Sequence, residues 1–303
     1  MFYARRPTPS CFHFLLIPAV LSVVGIHSAC LVRAVKPPPQ PVIRHSATLE
    51  ELLGRLERFG RIETTRLNVR LQVSFVTEDR KTIEEYPESS GLILTQRPGS
   101  IRVRAEAPVV GTTVFDMTSD GETFQVHLPT KKRFLKGRNA FDKPSDKRVE
   151  NLRPQHILNA LLIRPPQKAE NMRSLRNTSY GGRAYHVVML HSVTAGTPAR
   201  ELREIWFDRS DLHIARQLIF DRHAEVETDA WYRQWSEHEG APIPGTVRID
   251  RPRDGYKLTV RLLKASINQP LPKASFILEA PPGAKVEEIG QTPPEEDSGR
   301  SPS

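Results

Sequence analysis

The chain has 303 residues, of which 38% are hydrophobic and 26% charged, and 44 Lys and Arg against 35 Asp and Glu give a formal net charge of +9. This balance excludes a polytopic membrane protein and a wholly disordered chain. The only two cysteines, Cys11 and Cys30, lie close to the N-terminus, which excludes a disulfide-stapled miniature fold and a cysteine-rich zinc module.

The first segment of the chain has the features of an export signal. Arg5–Arg6 precede an almost uninterrupted apolar stretch, Phe12–Ile26, which contains no Lys, Arg, Asp or Glu. A stretch of this length suits a signal peptide and falls short of the roughly 20 apolar residues of a spanning helix. The small residues Ser28–Ala29 stand directly before Cys30, which resembles a bacterial lipobox, although His27 occupies the position of the usual leucine.

We therefore predict a signal peptide over residues 1–29 and lipidation of Cys30. An uncleaved anchor, ordinary cleavage nearby and twin-arginine export are the alternatives. Residues 30–46 are predicted to be a tether, because the run Lys36–Pro41 contains four prolines and favours an extended, semi-rigid spacer. The folded domain is predicted over 47–289. The tail at 290–303 has no apolar periodicity and is predicted to be disordered.

The domain begins with an amphipathic helix. Ser46 or Thr48 can cap it, and Glu50 and Glu51 suit its first turn. Its apolar residues recur at intervals of three and four, which predicts one stripe packed on the core. They are Leu49, Leu52, Leu53, Leu56, Phe59 and Ile62.

After this helix the apolar period changes to two, which indicates strands, starting at Leu67–Phe75. Further strands are predicted at Leu92–Leu94, Ile101–Ala105, Val114–Thr118, Phe124–Leu128, Arg183–His191, Glu201–Asp208, His213–Phe220, Ala224–Trp235, Gly245–Asp250 and Tyr256–Ile267. A second helix is predicted at Arg153–Ile163, before Pro165–Pro166. About ten strands joined by tight turns favour an α+β protein, mainly β, whose antiparallel sheet curls or closes. Two helices are available to cover its mouth.

Three stretches of the sequence resemble the superfamily of LolA, a periplasmic lipoprotein carrier, and LolB, its outer-membrane receptor. The first is the N-terminal helix leading into Arg66–Phe75. The second is Gln96–Val103 followed by Ala107–Asp116, which is similar to the LolB-like strand, Pro-apolar-Gly loop and further strand. The third is Ser275–Val286, which is similar to the Phe-x-x-x-x-Pro-Pro-x-Gly ending of LolA-like chains.

The resemblance implies a half-open antiparallel β-barrel, lidded by short helices, that binds lipoprotein acyl chains or another lipid in a hydrophobic cavity. It implies an outer-membrane lipoprotein with its domain in the periplasm, acting in lipid or lipoprotein localisation with a periplasmic carrier protein as a possible partner. A soluble periplasmic or inner-membrane-anchored protein is the alternative. The residues that we predict to line the cavity are Leu92, Leu94, Ile101, Val103, Phe115, Met117, Phe124 and Val126, and the lid residues are Ile157, Leu158, Leu161 and Leu162.

The LolB-like loop also implies a contact with the membrane. Val109 and Val110 occupy the position from which LolB-like proteins project an apolar side chain. Two valines between a proline and a glycine suit shallow insertion into a bilayer. The alternative is that both residues simply begin the next strand.

A cluster of positive charge follows the strand that ends at Leu128. It comprises Lys131, Lys132, Arg133, Lys136 and Arg138. We predict a basic loop that faces lipid headgroups or an acidic partner, since each cation near an anionic bilayer contributes about 1 kcal/mol. A solvated loop is the plain alternative. The second function considered is an envelope scaffold with a filled barrel core, which docks an acidic partner through this loop.

The motifs of common enzymes are absent from the sequence. It contains no His-Glu-x-x-His, Gly-x-Ser-x-Gly, Walker loop or Gly-x-Gly-x-x-Gly. His186, His191 and the acidic run Glu225, Glu227 and Asp229 are interpreted as strand residues. We predict no catalytic residue, cofactor, metal or nucleic-acid partner. A hydrolase would require a buried polar cluster within the cavity.

Overall fold

The computed structural model describes residues 44–76, 83–108, 110–140 and 148–289. The predicted signal peptide, Cys30, most of the tether, Val109 and the tail at 290–303 lie outside these residues. Within the described part of the chain, no helix has the length and apolarity needed to cross a membrane.

Helix α1 spans Leu49–Gly60 and is capped by Thr48, one of the two predicted capping residues. The backbone N–H of Glu51 donates to Thr48 Oγ1 at 3.3 Å, and the N–H of Thr48 donates to Glu51 Oε2 at 2.8 Å. This reciprocal capping box satisfies two of the free donors at the helix start. The predicted apolar stripe is the buried face, with Leu52 and Leu56 completely enclosed.

The described residues form a mainly β structure with one sheet of 15 strands. The strands are β1 (Thr64–Val76), β2 (Ile83–Glu85), β3 (Ser89–Gln96), β4 (Ser100–Glu106), β5 (Thr113–Ser119), β6 (Thr123–Leu128), β7 (Arg133–Arg138), β8 (Met172–Tyr180), β9 (Arg183–Ser192), β10 (Arg200–Asp208), β11 (Ile214–Phe220), β12 (Val226–His238), β13 (Ala241–Arg251), β14 (Tyr256–Ile267) and β15 (Lys285–Ile289). Short 3₁₀ turns lie at Pro129–Lys131, Arg148–Asn151 and Lys273–Phe276.

The sheet consists of two antiparallel meanders joined through β1 and β14. The strand order is β15-β7-β6-β5-β4-β3-β1-β14-β13-β12-β11-β10-β9-β8, and β2 pairs with the end of β1. The β7–β15 pair is parallel, and the other neighbours are antiparallel. In the described part of the chain the outermost strands, β15 and β8, do not pair with each other, so the sheet curls without closing.

Helix α2 spans Pro154–Leu161, close to the prediction, and packs inside the curl. It contacts β4 and β5 from one meander and β12 and β13 from the other. The Tyr232 hydroxyl on β12 donates to the carbonyl of Ala160 at 2.8 Å, which fixes the helix against the sheet. The hydrophobic core therefore lies on the concave face, between α1, α2 and both meanders.

The segment predicted as a basic loop is largely a strand. Arg133, Lys136 and Arg138 lie on β7, whereas Lys131 and Lys132 form the turn before it. Strand β7 pairs with β6 on one side and β15 on the other, because Phe134 and Leu135 are fully buried and hold the strand to the sheet. The interpretation of the whole segment as a loop was therefore wrong.

Candidate functional site

A mostly apolar cavity of about 550 Å³ opens at one end of the curled sheet. It lies where β1, β4 and β6 end and where β3, β5 and β7 begin. This volume falls within the range of roughly 300–1,000 Å³ that is typical of small-molecule sites. Its apolar wall is formed by Leu71, Val73, Phe75, Pro87, Val103, Ala107, Pro108, Val114, Phe115, Leu128, Leu152, Ile157 and Leu258.

The predicted cavity residues divide into three groups. Val103 and Phe115 line the cavity. The next group is buried in the hydrophobic core and does not border this cavity: Ile101, Met117, Phe124 and Val126. Leu92 and Leu94 form the third group, on the opposite face of the sheet.

The register of β3 shows why Leu92 and Leu94 do not line the cavity. They pair across the sheet with Arg104 and Arg102, whereas Ile93 pairs with Val103. Directly opposed residues share a face, so Ile93 is the residue of β3 that points into the core. The prediction that Leu92 and Leu94 line the cavity was therefore wrong, and Ile93 between them is the residue that faces the core.

The predicted lid residues have different surroundings. Ile157 belongs to the cavity wall, and Leu158 is buried in the core. Leu161 and Leu162 border a much smaller void between α2 and β13. Helix α2 therefore closes the inner side of the cavity with one residue and packs on the core with the others.

Val110 lies at the tip of the loop between β4 and β5. The N–H of Ala107 donates to the carbonyl of Thr112 at 2.8 Å, and Gly111 closes the loop with a φ of 65°, a conformation that suits glycine. Val110 is 69% exposed, and β5 begins only at Thr113. Val110 is therefore not a strand residue, and it stands beside the Ala107–Pro108 part of the cavity wall.

Charged side chains surround the opening of the cavity. Lys131, Arg133 and Glu84 all border it. The Arg133 Nη2 donates to Glu150 and Glu287, both at 2.6 Å. The hydrogen bond from Arg133 lowers the pKa of Glu287 to about 2. Glu84 had no signal in the sequence, because only the pairing of β2 with β1 brings it to the cavity.

A buried polar cluster lies behind the cavity wall. Arg251 Nε donates to Asp254 at 2.6 Å, and its Nη2 contacts His156 Nε2 at 3.1 Å. Burial and the neighbouring Arg251 hold the pKa of His156 well below its ordinary value, so the ring is neutral and its Nε2 accepts from Arg251. The Nδ1 contacts the Tyr256 hydroxyl at 3.2 Å.

This cluster is not part of the cavity wall. Its members His156, Arg251, Asp254 and Tyr256 do not line the cavity. They tie the start of α2 to the turn between β13 and β14. In the described residues, no group of three or more His, Cys, Asp or Glu side chains is placed to hold a metal ion.

No protein-family model matches the chain, and no curated protein matches its sequence. The structure is similar to a LolA superfamily protein from Nitrosomonas europaea, with 12% identity over 77% of this chain and 99% of that one and a TM-score of 0.48. A DUF1329 family protein from Desulfovibrio piger has 10% identity over 75% and 94% of the two chains and a TM-score of 0.47. A domain ascribed to an outer membrane lipoprotein-sorting protein from Vibrio parahaemolyticus has 11% identity over 74% and 94% and a TM-score of 0.44.

Proposed function

We propose that the chain binds the hydrocarbon part of a lipid, or of a lipoprotein's acyl chains, in the cavity of about 550 Å³. The observation that carries this proposal is the open apolar wall formed by both the sheet and α2. Burial of apolar ligand surface contributes roughly 25 cal/mol per Å². The arrangement can bind and shield an amphiphile, and it needs no catalytic group to do so.

The open cavity also favours this proposal over a scaffold with a filled barrel core. A filled interior would leave no room for a ligand. We therefore keep lipid binding as the single function proposed.

We further propose that the domain acts in the cell envelope, held at the outer membrane through a lipid on Cys30. The sequence before Cys30 supports this part of the proposal. Metabolic labelling with a fatty acid should mark the wild-type chain and not the Cys30→Ala variant. Equal labelling of both would refute anchoring through this cysteine.

The exposed loop between β4 and β5 is proposed to touch the bilayer from which a lipid enters or leaves. Val110 is 69% exposed, and Ile83 on β2, next to the cavity residue Glu84, is 53% exposed. Val110→Glu should reduce binding of the protein to liposomes, because a charged side chain resists transfer from water. Val193→Glu, at an exposed valine remote from the cavity, is the control. Equal binding of both variants would remove the loop from the proposal.

The ligand site itself is tested by filling the cavity. Val73 on β1 is half-buried and lines the cavity, so Val73→Trp should occupy the space of the ligand. Leu175→Trp is a matched control, because Leu175 is a half-buried strand residue on the same core but away from the cavity. A polarity-sensitive fluorescent fatty acid should bind to wild type and Leu175→Trp and not to Val73→Trp. Equal binding by all three would refute the proposal.

A further inference from the structure

The charged side chains of the cavity wall have opposite signs on two separate elements. Lys131 and Arg133 come from the turn before β7 and from β7 itself, whereas Glu84 comes from β2. In the sheet these elements are separated by β6, β5, β4, β3 and β1. The curl of the sheet brings both to the border of one cavity, with a basic side and an acidic side.

The basic side is prepared to accept an anion. Glu287 and Glu150 orient the Arg133 guanidinium through its Nε and Nη2, which donate at 3.1 Å and 2.6 Å. In the described part of the chain, Nη1 has no acceptor. Lys131 is exposed and has no carboxylate within ion-pair distance among the described residues. The remaining N–H groups on Arg133 Nη1 and the Lys131 ammonium can both donate to a phosphate oxygen.

The acidic side depends on the register of β2. Glu84 pairs directly with Phe75, whose ring lines the cavity, so both side chains lie on the cavity face. Glu85 pairs with Ser74 and therefore lies on the other face. Among the described residues, Glu84 is exposed and has no cation within ion-pair distance.

From this arrangement we infer that the cavity selects a zwitterionic amphiphile, whose head carries a phosphate and an ammonium group, as in phosphatidylethanolamine. The inference rests on the proposed function and narrows its ligand class. The phosphate contacts Lys131 and Arg133 Nη1, and the ammonium contacts Glu84. A purely anionic head leaves Glu84 as a like charge at the opening, and a neutral head complements neither side.

The test compares three amphiphiles with the same acyl chain as competitors of the fluorescent fatty acid on the full-length protein. They are lysophosphatidylethanolamine, the anionic lysophosphatidylglycerol and a neutral monoacylglycerol. The zwitterionic competitor should be about fivefold more potent than either of the others, the scale expected of one exposed ion pair. Glu84→Gln should abolish its advantage over lysophosphatidylglycerol, and Lys131→Met should reduce its advantage over monoacylglycerol.

Two neighbouring substitutions are the controls. Glu85→Gln removes an acid on the other face of β2, and Lys132→Met removes a cation that does not border the cavity. Both should leave the order of the competitors unchanged. Equal potency of the three amphiphiles, or a preference for the anionic one, would overturn the inference while the proposed lipid binding stands. If none of the three amphiphiles displaces the probe and the probe itself does not bind, both the inference and the proposed lipid binding would be overturned.

Discussion

Arg203 and Glu170 form the most deeply buried ion pair in the described part of the chain, with side chains 2% and 1% exposed. Arg203 donates to the two carboxylate oxygens at 2.5 Å and 2.9 Å and to the carbonyl of Arg164 at 3.2 Å. Burial raises the pKa of Glu170, but the hydrogen bonds and the charge of Arg203 outweigh this effect and hold that pKa below its ordinary value. The pair ties the segment after α2 to β10.

Removal of one partner should therefore lower the free energy of unfolding far more than removal of both. Arg203→Met leaves a buried carboxylate without its partner, and we expect a loss of about 3–5 kcal/mol in the free energy of unfolding. The double variant Arg203→Met with Glu170→Leu should recover most of that loss. Guanidinium denaturation measures both. A double variant as unstable as the single one would show that Arg203 acts through packing rather than through its charge.

Glu287 predicts a dependence of stability on pH. Arg133 lowers the pKa of Glu287 from 4.5 to about 2 in the folded chain. A lowered pKa stabilises the fold above the unfolded value, and the contribution is lost as pH falls from about 4.5 to 2. The melting temperature of Glu287→Gln should therefore fall less steeply in this window than that of wild type. Glu57→Gln, at an exposed glutamate of α1, should follow the wild-type curve.

At the scale of elements, the sequence predicted most of the strands and missed β2, β7, β8 and β15. Strands β1, β4 and β6 show an apolar period of two, because one face is buried. Strand β8 is mostly exposed along Met172–Tyr180, since it is the edge of the sheet. Strand β7 was not predicted, because its cations and two consecutive apolar residues break the alternating pattern. The short strands β2 and β15 form only through pairing with β1 and β7.

Helix α2 was predictable from its apolar residues, but the different surroundings of Ile157 and Leu158 were not. Both are buried, and only Ile157 borders the cavity. Each change to alanine should lower the free energy of unfolding by about 2–5 kcal/mol. Ile157→Ala should also alter the affinity for the fluorescent fatty acid, because it reshapes the cavity wall. Leu158→Ala should leave that affinity unchanged. If Ile157→Ala and Leu158→Ala change the affinity for the fatty acid to the same extent, Ile157 has no specific part in the ligand site.

At the scale of the whole molecule, the sequence indicated a curled sheet around an apolar interior but not where that interior is empty. Ile101 and Val103 are alternate residues of β4 on the same face, and both are fully buried. Val103 borders the cavity, whereas Ile101 does not. The difference is set by the curvature of the sheet and by the position of α2, which depend on long-range packing rather than on local periodicity.

The run Leu92–Leu94 illustrates the same limit. Three consecutive apolar residues fit either face of a strand, so local alternation cannot choose the register. Pairing with β4 resolves the choice in favour of Ile93. The resemblance of the loop and of the C-terminal stretch indicated the class of fold, but the acidic side of the cavity emerged only from the pairing of β2 with β1.

The most direct test of lipid binding in the cavity is mass spectrometry of the organic extract of the full-length protein purified from its own cell envelope. We predict that wild type and Leu175→Trp carry an amphiphile in near-stoichiometric amount and that Val73→Trp carries none. The same amount of lipid in all three proteins, or none in wild type, would contradict a ligand site in this cavity.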